Sequence, residues 1–206
     1  RASERAGPSP TGRLHLGHAY SAAIGHQRAR EGGGRFRLRI EDLDQTRARP
    51  EFVEGIFEDL RWLGIDWDEP VLVQSQRTGP YSEALERLKA QGLGYACFCT
   101  RADMAQSLTA PHGDAATSYP GTCRGLPDDP QRRSTTVHAW RLDSAKALEI
   151  AGLPSWREAG AAFESKESDF GDAILARKDA PASYHLTCVV DDAESGVTTV
   201  VRGADL

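Results

Sequence analysis

The sequence predicts an α/β fold built on a mainly parallel sheet, and three observations predict it. Helical runs that stop at glycine alternate with short β-like runs, which is the order that βαβ units produce. Several of these helical runs carry an apolar stripe, while the β-like runs are alternating or β-branched. Finally, 39% hydrophobic residues in a chain of 206 is enough for one large domain, or one domain carrying an insert.

The elements follow in order. Residues 19–31 (AYSAAIGHQRARE) are rich in Ala and straight-chain polar residues, and Gly32, Gly33 and Gly34 end the run, as expected of a helix. Arg35 to Ile40 (RFRLRI) alternates basic and apolar residues and predicts a strand with one buried face. Pro50 opens a second helix, with Phe52, Ile56, Leu60 and Leu63 on one face before Gly64 stops it. Val71 to Ser75 predicts a short strand, and Tyr81, Leu85 and Leu88 share one face of a further helix. From Cys97 to about Asp129 no period is sustained, so the segment reads as an insertion that needs a staple. His138–Asp143 and Asp172–Lys178 are strand-like, and the β-branched runs Ser183–Asp192 and Gly196–Gly203 are expected to return to the main sheet as strands.

Composition narrows the function classes. With 25 Lys and Arg against 30 Asp and Glu the net charge is −5, which argues against a protein that coats nucleic acid but leaves room for a local basic face. No apolar run reaches about 18 residues, and Arg1, Glu4, Arg5 and Arg13 interrupt the first twenty, so neither a membrane span nor a secretory signal is expected. A cytoplasmic monomer is the default expectation. The chain begins at Arg1 without methionine and stops at Leu206 after an apparent strand end, which suggests a fragment.

Three stretches carry chemistry. Gly7-Pro8-Ser9-Pro10-Thr11-Gly12 fixes a rigid loop that leads into a helix whose N-terminus favours anions, and His15 and His18 lie three apart at its start. Their imidazole N–H groups suit a phosphate; read without context, the same residues are a turn followed by two zinc ligands that lack an acidic third. Glu41, Asp42 and Asp44 sit at the carboxyl end of a predicted strand, where α/β folds bind ligands; they read equally as a solvated loop or an Asp-x-Asp metal site. Cys97, Cys99 and Cys123, with Tyr119 nearby, offer three soft ligands for tetrahedral zinc, or else small buried apolar side chains. Cys188, beside Val189 and Val190, reads as core.

Taken together, GPSPTG followed by HLGH (His15 to His18) closely resembles the N-terminal signature of the class I aminoacyl-tRNA synthetases of the glutamyl and glutaminyl branch. The resemblance implies a Rossmann-type core. It also implies that His15, Gly17 and His18 bind ATP, with both histidines stabilising the transition state of amino-acid activation. R-I-E-D-x-D-x-x-R, ending at Arg47, looks like the same branch and assigns Glu41 to the substrate α-amino group. SYHL and VRGADL resemble the second-half segments, in which Tyr184 and Arg202 contact the substrate side-chain carboxylate. Arg5, Gly7 and Ser9 match the remaining glutamate contacts. An arginine fork satisfies a carboxylate, whereas an amide would present it with a like donor, so this set selects glutamate over glutamine.

Cys-x-Cys followed by Tyr-x-x-x-Cys resembles the zinc site of the glutamyl-Q tRNA(Asp) synthetases, truncated paralogues of glutamyl-tRNA synthetase, and nominates Cys97, Cys99, Tyr119 and Cys123 as ligands of one structural zinc. That resemblance implies ATP- and Mg²⁺-dependent activation of L-glutamate and its transfer to queuosine in the anticodon loop of tRNA(Asp). The catalytic core of a full-length glutamyl-tRNA synthetase that charges tRNA(Glu), and a non-catalytic tRNA- or glutamate-binding module, are the alternatives. The second ATP-binding signature of the class, K-[ML]-S-K, has no counterpart: ESKES at Glu164–Ser168 matches in neither sequence nor position. Truncation before that loop would leave these residues poorly active alone. Ala6 stands where a bulky residue is usual. The expected organisation is a catalytic first half over 1–95, a zinc-binding connective insertion over 96–170 and a second catalytic half over 171–206.

Overall fold

The computed structural model describes residues 3–100, 102–103, 119–177 and 180–202. Packing separates it into two units, residues 1–80 with 187–206 and residues 81–186.

The first unit is a four-stranded sheet in the order β3-β2-β1-β9, with every pairing parallel. Strand β1 (Ser3–Ala6) runs into helix α1 (Leu16–Glu31), β2 (Arg35–Ile40) into α2 (Pro50–Trp62), and α2 into β3 (Asp68–Val73). Strand β9 (Thr199–Val200) lies on the free side of β1, so Arg5 pairs with Arg37 on one flank and Val200 on the other. The order reverses between β1 and β9, and the carboxyl ends beside such a switch point are where open α/β sheets bind ligands.

The core of this unit joins Phe36, Leu38 and Ile40 of β2 to Ala22 and Ala29 of α1, Ile56 and Leu60 of α2, and Ile65. Burying a side chain of Ile or Leu size contributes roughly 1.5–3 kcal/mol. Ala6 packs half-buried against this cluster, in register with Leu38. Leu63, expected on the buried face of the second helix, instead caps its end and is 40% exposed. The helix has already terminated there, so the apolar stripe ends at Leu60.

Residues 183–192, expected as a strand, form most of helix α6 (Tyr184–Glu194). The Leu186 N–H donates to Ser183 Oγ, a helix-start bond, and the pairs Thr187/Asp191 and Cys188/Asp192 fall four apart on one face. That face carries two aspartates that must meet cations. A helix brings both to the same side, whereas a strand would place neighbours 191 and 192 on opposite faces. Tertiary charge pairing thus overrides the β propensity of this run.

In the second unit, helix α3 (Thr78–Ala90) precedes β4 (Gly94–Cys97), which with β5 (Ala139–Leu142) and β8 (Ile174–Arg177) makes an antiparallel sheet in the order β4-β5-β8. Helices α4 (Pro130–Thr135) and α5 (Ser144–Ala151) and an exposed hairpin of β6 (Ser155–Glu158) and β7 (Ala161–Glu164) complete it. Asp172 is its polar hub, accepting hydrogen bonds from the Tyr95 hydroxyl, from Arg124 at 2.7 and 2.8 Å and from the Ser144 N–H at 3.0 Å, with its side chain fully buried. Among the described residues, no helix is long and apolar enough to cross a membrane.

Candidate active site and metal centre

The loop between β1 and α1 spends two carbonyls on the segment between β2 and α2: Pro8 O accepts from the Glu41 N–H at 3.0 Å and Pro10 O from the Arg49 N–H at 3.2 Å. Both prolines are buried, which pins the loop across the carboxyl end of β2. His15 is the N-cap of α1. Its Nδ1 accepts from the Gly17 N–H at 3.2 Å, and His18 Nδ1 accepts from the His15 N–H at 3.3 Å. A ring that accepts at Nδ1 carries its neutral-form proton on Nε2. Capping therefore fixes the tautomer and leaves each exposed imidazole with an Nε2–H donor. The rings stack 3.8 Å apart, and desolvation, followed by the His15 charge, pushes the His18 pKa down, so this ring is neutral near pH 7. A Cβ on Gly17 would sit 3.1 Å from the His15 ring.

Glu41 leaves the end of β2 and lies over Gly7. A Cβ built on Gly7 would fall 2.4 Å from Glu41 Oε1 and 3.2 Å from Arg5 Nη1. Arg5, Gly7 and Glu41 therefore converge on one point at the mouth of the parallel sheet. Behind them Arg39, 2% exposed, donates to Glu41 Oε1 at 2.8 and 3.1 Å and to Asp192 Oδ1 at 2.6 Å. Asp192 Oδ1 also accepts from Arg5 Nε at 2.6 Å. Cys188 Sγ lies 3.3 Å from Arg39 Nη2 and 3.9 Å from Glu41 Oε1. Burial pushes the Glu41 pKa up, against the pull of Arg39 and Arg5. Burial alone would lower the Arg39 pKa, but its carboxylate and thiol partners raise it.

The other expected contacts are placed as follows. Ser9 is exposed two residues beyond Gly7, and Arg202 is exposed just past β9, the strand that flanks β1. Tyr184 belongs to the second unit and is 50% exposed. Gly203 to Leu206 lie outside the described residues. The Asp-x-Asp pair is committed to structure: Asp42 accepts from the Ser75 N–H and hydroxyl at 2.8 and 2.6 Å, and Asp44 accepts from Thr46 and Arg47 in an exposed turn. Hydrogen bonding to Thr46, then Arg47, holds the Asp44 pKa down at about 2. Asp44 therefore fits the solvated-loop reading.

In the second unit Cys97, at the end of β4, meets Cys99, Tyr119 and Cys123. Tyr119 Oη lies 3.3 Å from Cys97 Sγ and 3.6 Å from Cys99 Sγ, and Cys99 Sγ lies 3.6 Å from Cys123 Sγ. The three sulfurs all fall within 4.8 Å of one another. Zinc binds thiolate at about 2.3 Å and oxygen at about 2.0–2.2 Å, so tetrahedral S–O and S–S edges come to about 3.5 and 3.8 Å. The donor set fits such an ion. Arg141 sits 3.9 Å over the Tyr119 ring, and the Cys123 N–H donates to Tyr119 Oη at 2.8 Å. Burial pushes the Cys99 thiol pKa up to about 11.

A family model described as tRNA synthetases class I (E and Q), catalytic domain, matches residues 3–206. The chain belongs to this synthetase family. The glutamyl-Q tRNA(Asp) synthetase of Rhodobacter capsulatus is 46% identical over 98% of the chain and 76% of its own length. That of Nitratidesulfovibrio vulgaris is 44% identical, with 98% of this chain and 65% of that one covered. Among solved structures, a glutamate tRNA ligase from Elizabethkingia meningosepticum in complex with its amino acid superposes at a TM-score of 0.78 with 27% identity, over 99% of this chain and 44% of that one. A glutamate-tRNA synthetase from Elizabethkingia anophelis gives 0.79 and 27%, over 100% and 45%. The chain thus spans less than half of either solved synthetase and about two thirds to three quarters of these two glutamyl-Q relatives.

Within this class I synthetase domain, sequence reasoning missed Arg39 as a buried hub and the Asp191–Asp192 pair as its counter-charge. Alternation in RFRLRI places Arg35, Arg37 and Arg39 on one face, which reads as solvent, yet Arg39 is buried while Arg35 is exposed. The available signal was the Asp-Asp pair closing an apolar run, because buried carboxylates require cationic partners. Asp191 finds its own in Arg77 at 2.9 Å and Arg39 at 4.0 Å, and the neutral Gln74 amide donates to it at 2.9 Å. Cys188 is buried as expected, though among charges rather than in an apolar core.

Proposed function

We propose that this domain activates L-glutamate with ATP and serves the transfer of the glutamyl group to the queuosine base of tRNA(Asp). The observation that carries the first half is the convergence of Arg5, Gly7 and Glu41 beside a loop that feeds a helix start capped by two histidines with Nε2–H donors. Glu41, an acceptor-only carboxylate, receives the substrate ammonium. Arg5, with Arg202 and Tyr184, receives the side-chain carboxylate, and Ser9 and the Gly7 backbone complete the contacts. His15, Gly17 and His18 bind ATP.

One α-carboxylate oxygen of glutamate attacks the α-phosphorus of ATP; the new O–P bond forms as the bridging bond to the β-phosphate breaks, giving glutamyl-adenylate and pyrophosphate. The chain supplies no nucleophile. Its work is positioning and charge stabilisation, with the Nε2–H groups of His15 and His18 donating to phosphate oxygens. Mg²⁺ offsets triphosphate charge when bound. Zinc, held by Cys97, Cys99, Tyr119 and Cys123, is structural and lies outside the chemistry.

The queuosine acceptor is supported by the relatives' names and by the tyrosine-containing donor set. Full-length protein, incubated with glutamate, labelled ATP or glutamate and purified tRNAs, is expected to exchange pyrophosphate without tRNA and to label only queuosine-containing tRNA(Asp). Labelling of tRNA(Glu) would instead make it a glutamyl-tRNA synthetase, and absence of exchange would leave a binding module.

A further inference from the structure

We infer that Asp192 is a positioning residue for glutamate recognition: its carboxylate, delivered by α6, holds Arg5 by its Nε and so aims the guanidinium at the substrate side chain. The inference rests on the glutamate-binding reading above and adds to it a residue that does not itself touch substrate.

The geometry is specific. A single oxygen, Asp192 Oδ1, accepts from Arg5 Nε and Arg39 Nη1, both at 2.6 Å. Arg5 is thereby anchored at the inner nitrogen of its fork, and Nη1 lies 3.2 Å from the Cβ position of Gly7, alongside Glu41 Oε1 at 2.4 Å from the same point. An arginine held at Nε keeps its two terminal nitrogens for a second partner, and two terminal N–H groups are the geometry that a carboxylate accepts. Arg39 is held the other way round, at a terminal nitrogen by Asp192, with its Nε and Nη2 both on Glu41. It is bound by Asp192 on one side, and its two bonds to Glu41 Oε1 leave Oε2 for an ammonium.

Charge arithmetic points the same way. Arg5, Arg39 and Arg77 carry +3 against −3 from Glu41, Asp191 and Asp192 in this cluster, and Asp192 is the carboxylate that Arg5 binds directly. Without Asp192, Arg39 keeps Glu41 and Asp191, whereas Arg5 loses its bonded carboxylate and is drawn toward Glu41 across Gly7. That would pair the recognition arginine with the carboxylate meant for the ammonium and close the site on itself. Asp191, its neighbour, faces Arg39 Nε at 4.0 Å and accepts from Arg77 and Gln74, but it makes no bond to Arg5 among the described contacts.

The test is a kinetic split in full-length protein, measured by glutamate-dependent pyrophosphate exchange together with thermal melting. Asp192→Ala is expected to raise KM for glutamate about 10- to 100-fold, the scale of one charge-assisted hydrogen bond, while KM for ATP stays within about threefold. Asp192→Asn keeps an oxygen acceptor without the charge and is expected to recover part of the loss. Should the Ala variant fail to fold, the Asn variant alone carries the test, with KM for glutamate raised at an unchanged KM for ATP. An unchanged KM for glutamate in either folded variant overturns the proposal, as does an equal rise in both KM values. Wild-type protein lacking exchange would strike at the glutamate-activation reading itself, a distinct result.

Discussion

At the scale of single residues, Gly7 shows how a missing side chain can be functional. Its φ lies outside the left-handed region, so conformational freedom is not the reason for glycine here. The reason is space. A methyl at this position would meet Glu41 Oε1 at 2.4 Å and Arg5 Nη1 at 3.2 Å, and Glu41 cannot swing aside cheaply because Arg39 holds that same oxygen twice. Gly7→Ala is therefore expected to raise KM for glutamate about tenfold or more, the cost of displacing one charge-assisted pair, with the melting temperature little changed because Gly7 lies outside the core cluster. Pyrophosphate exchange across glutamate concentrations reads this directly; an unaltered KM would place the amino-acid pocket elsewhere.

At the scale of elements, helix α1 combines two tasks at its N-cap. His15 is both its N-cap and a proposed phosphate donor, roles that a substitution can separate. Asparagine is among the best N-caps, and replacing a cap by alanine costs about 0.5–2 kcal/mol. His15→Asn is expected to melt near the wild type, His15→Ala below it, and both to lose pyrophosphate exchange by about 100-fold or more, as when a transition-state donor is removed. Retained exchange in the Asn variant would reduce His15 to a cap. The elements also show what could be read in advance. Helices α1, α2 and α3 and strands β2 and β3 follow from glycine stops, Pro50 and apolar spacing, all local signals. Helix α6 does not, because its identity is decided by Asp191 and Asp192 finding Arg77, Gln74, Arg5 and Arg39 far away in sequence. The site divides similarly. His15, Glu41 and the cysteines stand in recognisable spacing, and Tyr119 was nominated only by resemblance, since its phenol joins the sulfurs through the fold of the insertion. Arg39 was hidden by an alternation that holds for Arg35 but fails where an acidic helix face packs on the strand.

At the scale of the molecule, both units bury apolar side chains, Tyr81, Leu93, Leu175 and Leu186 among those of the second, and the second adds a cluster of a different kind. The first has an apolar core between a parallel sheet and its helices. In the second, a cluster of Cys97, Tyr119 and Cys123 is buried with Tyr95 and Cys99 packed against it, and polar bonds converge on Asp172. Such a cluster buries little hydrocarbon, so a metal ion bound there would supply folding free energy beyond that of packing. Opening free energies differ between regions of one protein, and amide hydrogen exchange resolves them. With zinc bound at Cys97, Cys99, Tyr119 and Cys123, a strong chelator is expected to cut protection by about tenfold or more at the amides of β4 and β5, while β1 and β2 exchange as before. Cys123→Ala should give the same pattern without chelator and reduce zinc to well below one ion per chain. Zinc retained in that variant, or protection lost equally from both sheets, would show that the metal is not the staple of the second unit.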